Sequence, residues 1–139
     1  MLPKSRIIFK AWSVFLMEIK LRHRDPVTIL SMNGALVLEN TASLKKILDD
    51  LLIADRVWIV MNFKEVDSID SAALAILINR KADCQKKNGD ILLVGLNETI
   101  QRIFLDTALS GFFRIFASVE EACKSFSSLR DGESHLLKK

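Results

Sequence analysis

Asp67-Ser68-Ile69-Asp70-Ser71 lies between an apolar run beginning at Val57 and an apolar helical pattern that continues to about Asn88. The serine hydroxyl at this junction has two chemical uses. Its oxygen can accept a hydrogen bond from a first-turn N–H and so cap the helix. The same place suits a phosphate ester, because unpaired N–H groups and the positive end of the helix dipole meet there. Both uses are open for Ser71. Asp70 reads either as a turn residue or as a second capping acceptor.

Other chemistries find little support. His23 and His135 fall in an edge strand and in the tail, so no Ser-His-Asp arrangement assembles around Ser71, and we assign no catalytic residue. The glycines form neither a Gly-x-Gly-x-x-Gly nor a Walker loop. Cys84 and Cys123 lack Cys-x-x-Cys spacing and sit in apolar helical patterns, which predicts buried thiols, no metal site and a reducing cytoplasm. No enzyme activity and no cofactor are expected.

The 139 residues suit one domain, and 50% hydrophobic content is enough for a core without disulfides. The net charge of +3 is unevenly spread. Residues 1–24 hold six basic side chains against one acidic, whereas residues 25–126 hold eleven basic against fourteen acidic. A nucleic-acid binder would carry its basic residues on the folded body, so DNA and RNA are not expected partners. No stretch reaches the roughly 20 apolar residues that span a bilayer, and no membrane association is expected. Residues 1–16 read as a leader, either disordered or preceding a true start at Met17. The competing readings are a docking segment or an amphipathic membrane contact through Trp12, Phe15 and Leu16.

The elements that must position Ser71 follow from periodicity. Ile19 and Leu21 alternate with charged residues, as in a half-buried edge strand. Asp25-Pro26 turns the chain into a second strand, Val27 to Met32, ended by Asn33-Gly34. Ala35 to Asn40 reads as a loop, and Asn40 or Thr41 as the cap of a helix through Leu44, Ile47, Leu48 and Leu51. Val57 to Phe63 suits a strand covered on both faces. Ser71 to Lys87 predicts a helix with Leu74, Leu77 and Ile78 inward and Arg80, Lys81, Lys86 and Lys87 outward or terminal. Gly89 is its left-handed stop. Ile91 to Val94 is a further strand, and Asn97 caps a third helix. Phe112 to Phe116 is a short strand, and Ser118 to Glu121 is a capping box for a last helix. The order is that of an α/β domain with a mixed four- to five-stranded sheet and about four helices over residues 17–126. Residues 127–139 form a flexible tail.

This order, with Asp70-Ser71 opening the second helix, resembles the STAS domain of bacterial anti-sigma factor antagonists over roughly residues 17–126. Gly34, Leu44 to Leu48, Asn62, Ile69-Asp70-Ser71 with Leu74, Lys87 to Asp90, Ile103-Phe104, Leu109 and Gly111 carry the resemblance. It implies that Ser71 is phosphorylated by an anti-sigma factor that is also a serine kinase. The unmodified form then binds that factor and frees a sigma factor, and a PP2C-type phosphatase resets the switch. Asp70 would help place the hydroxyl for the kinase or hold a metal in the phosphatase reaction. Asp70, Ala72, Ala73 and Asn62 are the expected neighbours of the phosphosite, with Asn62 at a strand end. Leu36, Val37, Leu38, Glu39 and Asp67 are the expected partner surface, the three apolar side chains being exposed unless they fold under the first helix. The protein is expected to be cytoplasmic, and a monomer or weak dimer. Ala72 and Ala73 depart from the family's serine or threonine followed by glycine, adding a methyl where a kinase backbone approaches. The alternative is a STAS protein that is never phosphorylated and acts as a binding subunit of another signalling or lipid-transport complex.

Overall fold

The computed structural model describes residues 17–127, and residues 5–10 as backbone. The expectations for His135, for Trp12, Phe15 and Leu16, and for the tail beyond Ser127 fall outside the described residues. The elements are β1 (Ser5–Lys10), β2 (Met17–Arg24), β3 (Val27–Leu36), α1 (Leu38–Ile53), β4 (Trp58–Ile69), α2 (Ser71–Lys86), β5 (Asp90–Val94), α3 (Glu98–Asp106) and β6 (Ile115–Phe116). A further helix, α4, covers residues 119–127. The strands form one sheet in sequence order, β1 to β6. The pairs β1–β2 and β2–β3 are antiparallel, and β3 to β6 run parallel. Each parallel step crosses through a helix, which is the connection parallel neighbours require.

Alternation along the strands divides the core between two faces. Ile59, Met61 and Phe63 of β4 pack with Leu30, Met32, Leu44, Leu48, Leu77, Ile91 and Leu93 under α1 and α2. Val60 faces the other way and joins Ile29, Leu92, Val94, Ala122 and Phe126 beneath α4. Trp58 stacks on Phe126 with ring centroids 5.2 Å apart, and Arg24 pairs with Glu120 at 2.8 Å, so both apolar and charged contacts dock α4. These two-sided contacts explain why the first part of β4, Trp58 to Met61, is apolar without interruption.

Several boundaries differ from the sequence expectation. Residues 5–10 pair with β2 as a sixth strand, whereas the sequence pattern made them part of a leader. The edge of β2 offers unpaired backbone groups that such a segment can satisfy. β3 and β4 both run on, ending at the pair Leu36 and Ile69, so the expected loop from Ala35 and the strand end at Asn62 give way to paired strands. Two register shifts between β3 and β4 accommodate extra residues. Helix α1 starts at Leu38, and Asn40 and Thr41 lie buried inside it. Asn40 Nδ2 donates to the Ala35 carbonyl at 2.6 Å and the Thr41 hydroxyl to the Leu38 carbonyl at 2.9 Å, so both fasten the turn without capping it.

At the other end of α2, Asn88 takes the left-handed conformation (φ 67°) that the sequence pattern gave to Gly89. Gly89 is needed for a close approach: a Cβ there would lie 2.1 Å from the Val57 carbonyl oxygen. Lys81, expected outward, is 2% exposed. Its ammonium pairs with Asp90 and lies 5.4 Å and 5.5 Å from the ring centroids of Phe112 and Phe113, which explains how a cation is accommodated inside. The last strand shortens to Ile115–Phe116 because Phe112 and Phe113 belong to a turn that packs onto this pair. Cys84 is buried as expected, and Cys123 is half-buried.

Candidate functional site

The carboxylate of Asp70 organises the end of β4. Asp70 is the N-cap of α2, in extended backbone geometry, and its Oδ1 accepts the Ala73 N–H at 3.0 Å. Its Oδ2 accepts the Leu38 N–H at 2.9 Å. Val37, the N-cap of α1, makes no side-chain cap bond, so the carboxylate capping α2 also serves the first N–H of α1. The Asp70 backbone adds two more bonds, its N–H donating to the Leu36 carbonyl at 3.2 Å and its carbonyl accepting from Leu74 at 3.0 Å. One residue therefore joins the end of β3, the start of α1 and the first turn of α2.

Of the two uses open for Ser71, this arrangement gives the cap to Asp70 instead. Ser71 is the first residue of α2, and its side chain is exposed. An aspartate one residue earlier already fills the cap position with a stronger, charge-assisted acceptor. The hydroxyl is thus left outside the capping network, at the positive end of the helix.

Around it, Leu38 is 64% exposed, Glu39 and Asp67 are exposed, and Val37 is half-buried. Leu36 is fully buried in the main core, contrary to the exposed position expected, because the pleat of β3 turns it inward beside Ile69. Asn62 does not join the site. It pairs with Ser31 and Val94 within the sheet, seven residues before Ile69, on the order of 20 Å away along the strand. Its Oδ1 accepts the Lys64 N–H at 3.0 Å. Ala72 is half-buried, and Ala73 is fully buried with its methyl in the core. The extra methyl at residue 73 is therefore turned away from an approaching protein.

Asn97 is a participant whose second role periodicity could not reveal. Its Oδ1 caps α3 by accepting the Ile100 N–H at 2.8 Å. Its Nδ2 donates to the carbonyls of Val66 (3.2 Å) and Asp67 (3.1 Å), fastening the start of α3 to β4. Only a polar residue directly before the α3 pattern hints at this. The starts of three helices thus gather at the carboxyl end of the parallel strands, the usual place for binding in open α/β sheets. Glu39 lies in the first turn of α1 and Asp67 near the end of β4, both exposed and both on elements that meet at Asp70. Among the described residues, no three His, Cys, Asp or Glu side chains converge as a metal would need, and no helix is long and apolar enough to cross a membrane.

The STAS domain family model matches residues 18–122. The chain belongs to the STAS family. It is similar to a Thermotoga maritima protein assigned as an anti-sigma factor antagonist, with 31% identity over 99 residues that cover 70% of this chain and 88% of the relative. The crystal structure of a protein from the same organism, likewise assigned as an anti-sigma factor antagonist, aligns with a TM-score of 0.72 at 29% identity, over 76% of this chain and 91% of that one. The phosphorylated form of the Bacillus cell fate determinant SpoIIAA shares the fold, with a TM-score of 0.64 at 16% identity, over 78% and 98% of the two chains. By these relationships this STAS domain falls in the anti-sigma factor antagonist family. The Asp70-Ser71 junction lies within the matched region, whereas β1 lies before it.

Proposed function

We propose that the protein is a partner-switching antagonist of an anti-sigma factor. The unmodified form docks through Leu38 and the adjoining Val37, Glu39, Asp67 and Ser71, and so frees a sigma factor. The anti-sigma factor acts as a serine kinase on Ser71, phosphorylation breaks the complex, and a PP2C-type phosphatase restores it. The reading puts the protein in the cytoplasm, where a sigma factor works.

The observation that carries this reading is an exposed hydroxyl at the first residue of α2, joined through Asp70 to an exposed leucine at the first residue of α1. Partner contact at Leu38 would desolvate Ser71 as well. A phosphate adds about −1.5 to −2 charge and three acceptor oxygens. The helix start favours that charge by roughly 0.3–1 kcal/mol at an exposed site. The adjacent Asp70 carboxylate opposes it, so the isolated fold changes little. In a complex the dianion would be buried, and an unpaired buried charge costs several kcal/mol. With each 1.4 kcal/mol worth about tenfold in affinity, release follows without refolding.

The test uses the protein, the anti-sigma kinase encoded by the same organism, and ATP. Mass spectrometry should locate one phosphate at Ser71 and none in Ser71→Ala, and the modified protein should leave the complex. Phosphate confined to Ser68, or a modified protein that binds as tightly as before, contradicts the reading. Tight binding with no phosphate transfer from any such kinase instead favours an unmodified binding subunit.

A further inference from the structure

We propose that Asp70 is a positioning residue that relays the charge state of Ser71 to the first turn of α1, so that modification alters how Leu38 is presented as well as the charge beside it. This rests on the reading that Ser71 is phosphorylated.

Both carboxylate oxygens of Asp70 are committed, Oδ1 to Ala73 in α2 and Oδ2 to Leu38 in α1. No side chain from Val37 backs up the bond at α1. A phosphate on the adjacent Ser71 places three acceptor oxygens beside the same first turn of α2 and a dianion next to the Asp70 carboxylate. It therefore competes with Oδ1 for the α2 N–H groups and repels the whole carboxylate. Glu39 from α1 and Asp67 from β4, on the elements joined at Asp70, carry charge of the same sign.

When the carboxylate moves, Leu38 N–H loses its acceptor. The rest of the turn holds, because Asn40 N–H donates to the Val37 carbonyl at 2.8 Å, Asn40 Nδ2 to Ala35 at 2.6 Å and the Thr41 hydroxyl to Leu38 at 2.9 Å. The change is then confined to the entry of α1, which carries the exposed Leu38 side chain. Leu48, deep in α1, reports on the remainder of that helix.

The experiment compares the unmodified protein with protein carrying phosphoserine built in at residue 71 during synthesis, by amide exchange measured with NMR. Loss of this bond should speed exchange at Leu38 by about fivefold or more and leave Leu48 unchanged. In Asp70→Asn, one amide oxygen can serve only one helix start and the amide nitrogen is a donor. Leu38 should already exchange fast there, and phosphoserine should add less than about twofold. A purely structural role for Asp70 would change exchange in the variant but give no response to phosphoserine in the wild type. An unaltered Leu38 amide in the phosphoserine protein, or an equal acceleration in Asp70→Asn, overturns the proposal. If Asp70→Asn does not fold, Asp70→Ser replaces it, and the wild-type pair decides by itself. Failure of every kinase to modify Ser71 would count against the switch and leave this result standing, since the phosphate is installed without a kinase.

Discussion

Replacing Asp70 by alanine removes acceptors from two helices, whereas replacing Ser71 removes none of the described capping bonds. Loss of an N-cap side chain costs about 0.5–2 kcal/mol. The α2 bond is partly buried and should sit near the middle of that range, about 1 kcal/mol. The Leu38 bond is exposed, so water replaces part of it and the loss lies at the low end, about 0.5 kcal/mol. Loss of the negative charge at the positive end of α2 adds a further few tenths. Asp70→Ala should therefore cost about 1.5–2 kcal/mol, which for a domain of this size lowers Tm by roughly 5–10 °C. Ser71→Ala should change stability by less than about 0.5 kcal/mol, as for an exposed position outside any bonding network. Asp70→Asn should fall between the two. Urea unfolding followed by circular dichroism reads the difference through the midpoint, with the slope m unchanged. A Ser71→Ala protein that loses as much stability as Asp70→Ala would show that the hydroxyl is the true cap, and the assignment of a free, modifiable serine would fail with it.

The two ends of the Leu36–Leu38 segment should separate stability from binding. Leu36→Asp buries an unpaired charge in the core and should cost more than about 3 kcal/mol, while Leu38→Asp should leave Tm almost unchanged and weaken capture of the anti-sigma partner, as thermal melts and titration calorimetry would show. Lys81→Ala leaves the Asp90 carboxylate inside without its cation and should cost about 3–5 kcal/mol; the double variant Lys81→Met with Asp90→Asn should recover most of that in denaturant unfolding. Burial pushes the Cys84 thiol up to about 11, with the Asp90 and Asp83 carboxylates acting in the same direction. Because the folded value lies above the unfolded one, the stability linked to this thiol is fully present below about pH 9 and is lost as pH rises through 11; melts of wild type and Cys84→Ala across that window should diverge accordingly. At pH 8 a thiol reagent should label half-buried Cys123 well before Cys84.

Local patterns made much of the fold legible. The nearly continuous apolar stretch from Val57 to Phe63 suited cover on both faces, and the structure supplies it from α1 and α2 on one side and α4 on the other. Asn97 and Ser118 stand directly before helical patterns, and each caps as its type and place predict, the Ser118 hydroxyl accepting the Glu121 N–H at 3.2 Å. The failures share a cause. Lys81 looks like a surface cation in sequence, since its partner Asp90 and the rings of Phe112 and Phe113 come from other elements. Leu36 reads as exposed loop because the strand pair that buries it is visible only once β3 meets β4.

The candidate site divides in the same way. The amino-acid order alone determined that an acid and a hydroxyl stand at the strand-to-helix handover, because periodicity switches there and both residue types belong at helix starts. It could not decide which of the two caps, nor that the same carboxylate serves a second helix beginning 32 residues earlier. Periodicity records interactions within a few residues of each other. Asp70 acts on Leu38 only because pairing of β3 with β4 brings their ends together, and that through-space closure alone makes one carboxylate serve two helix starts.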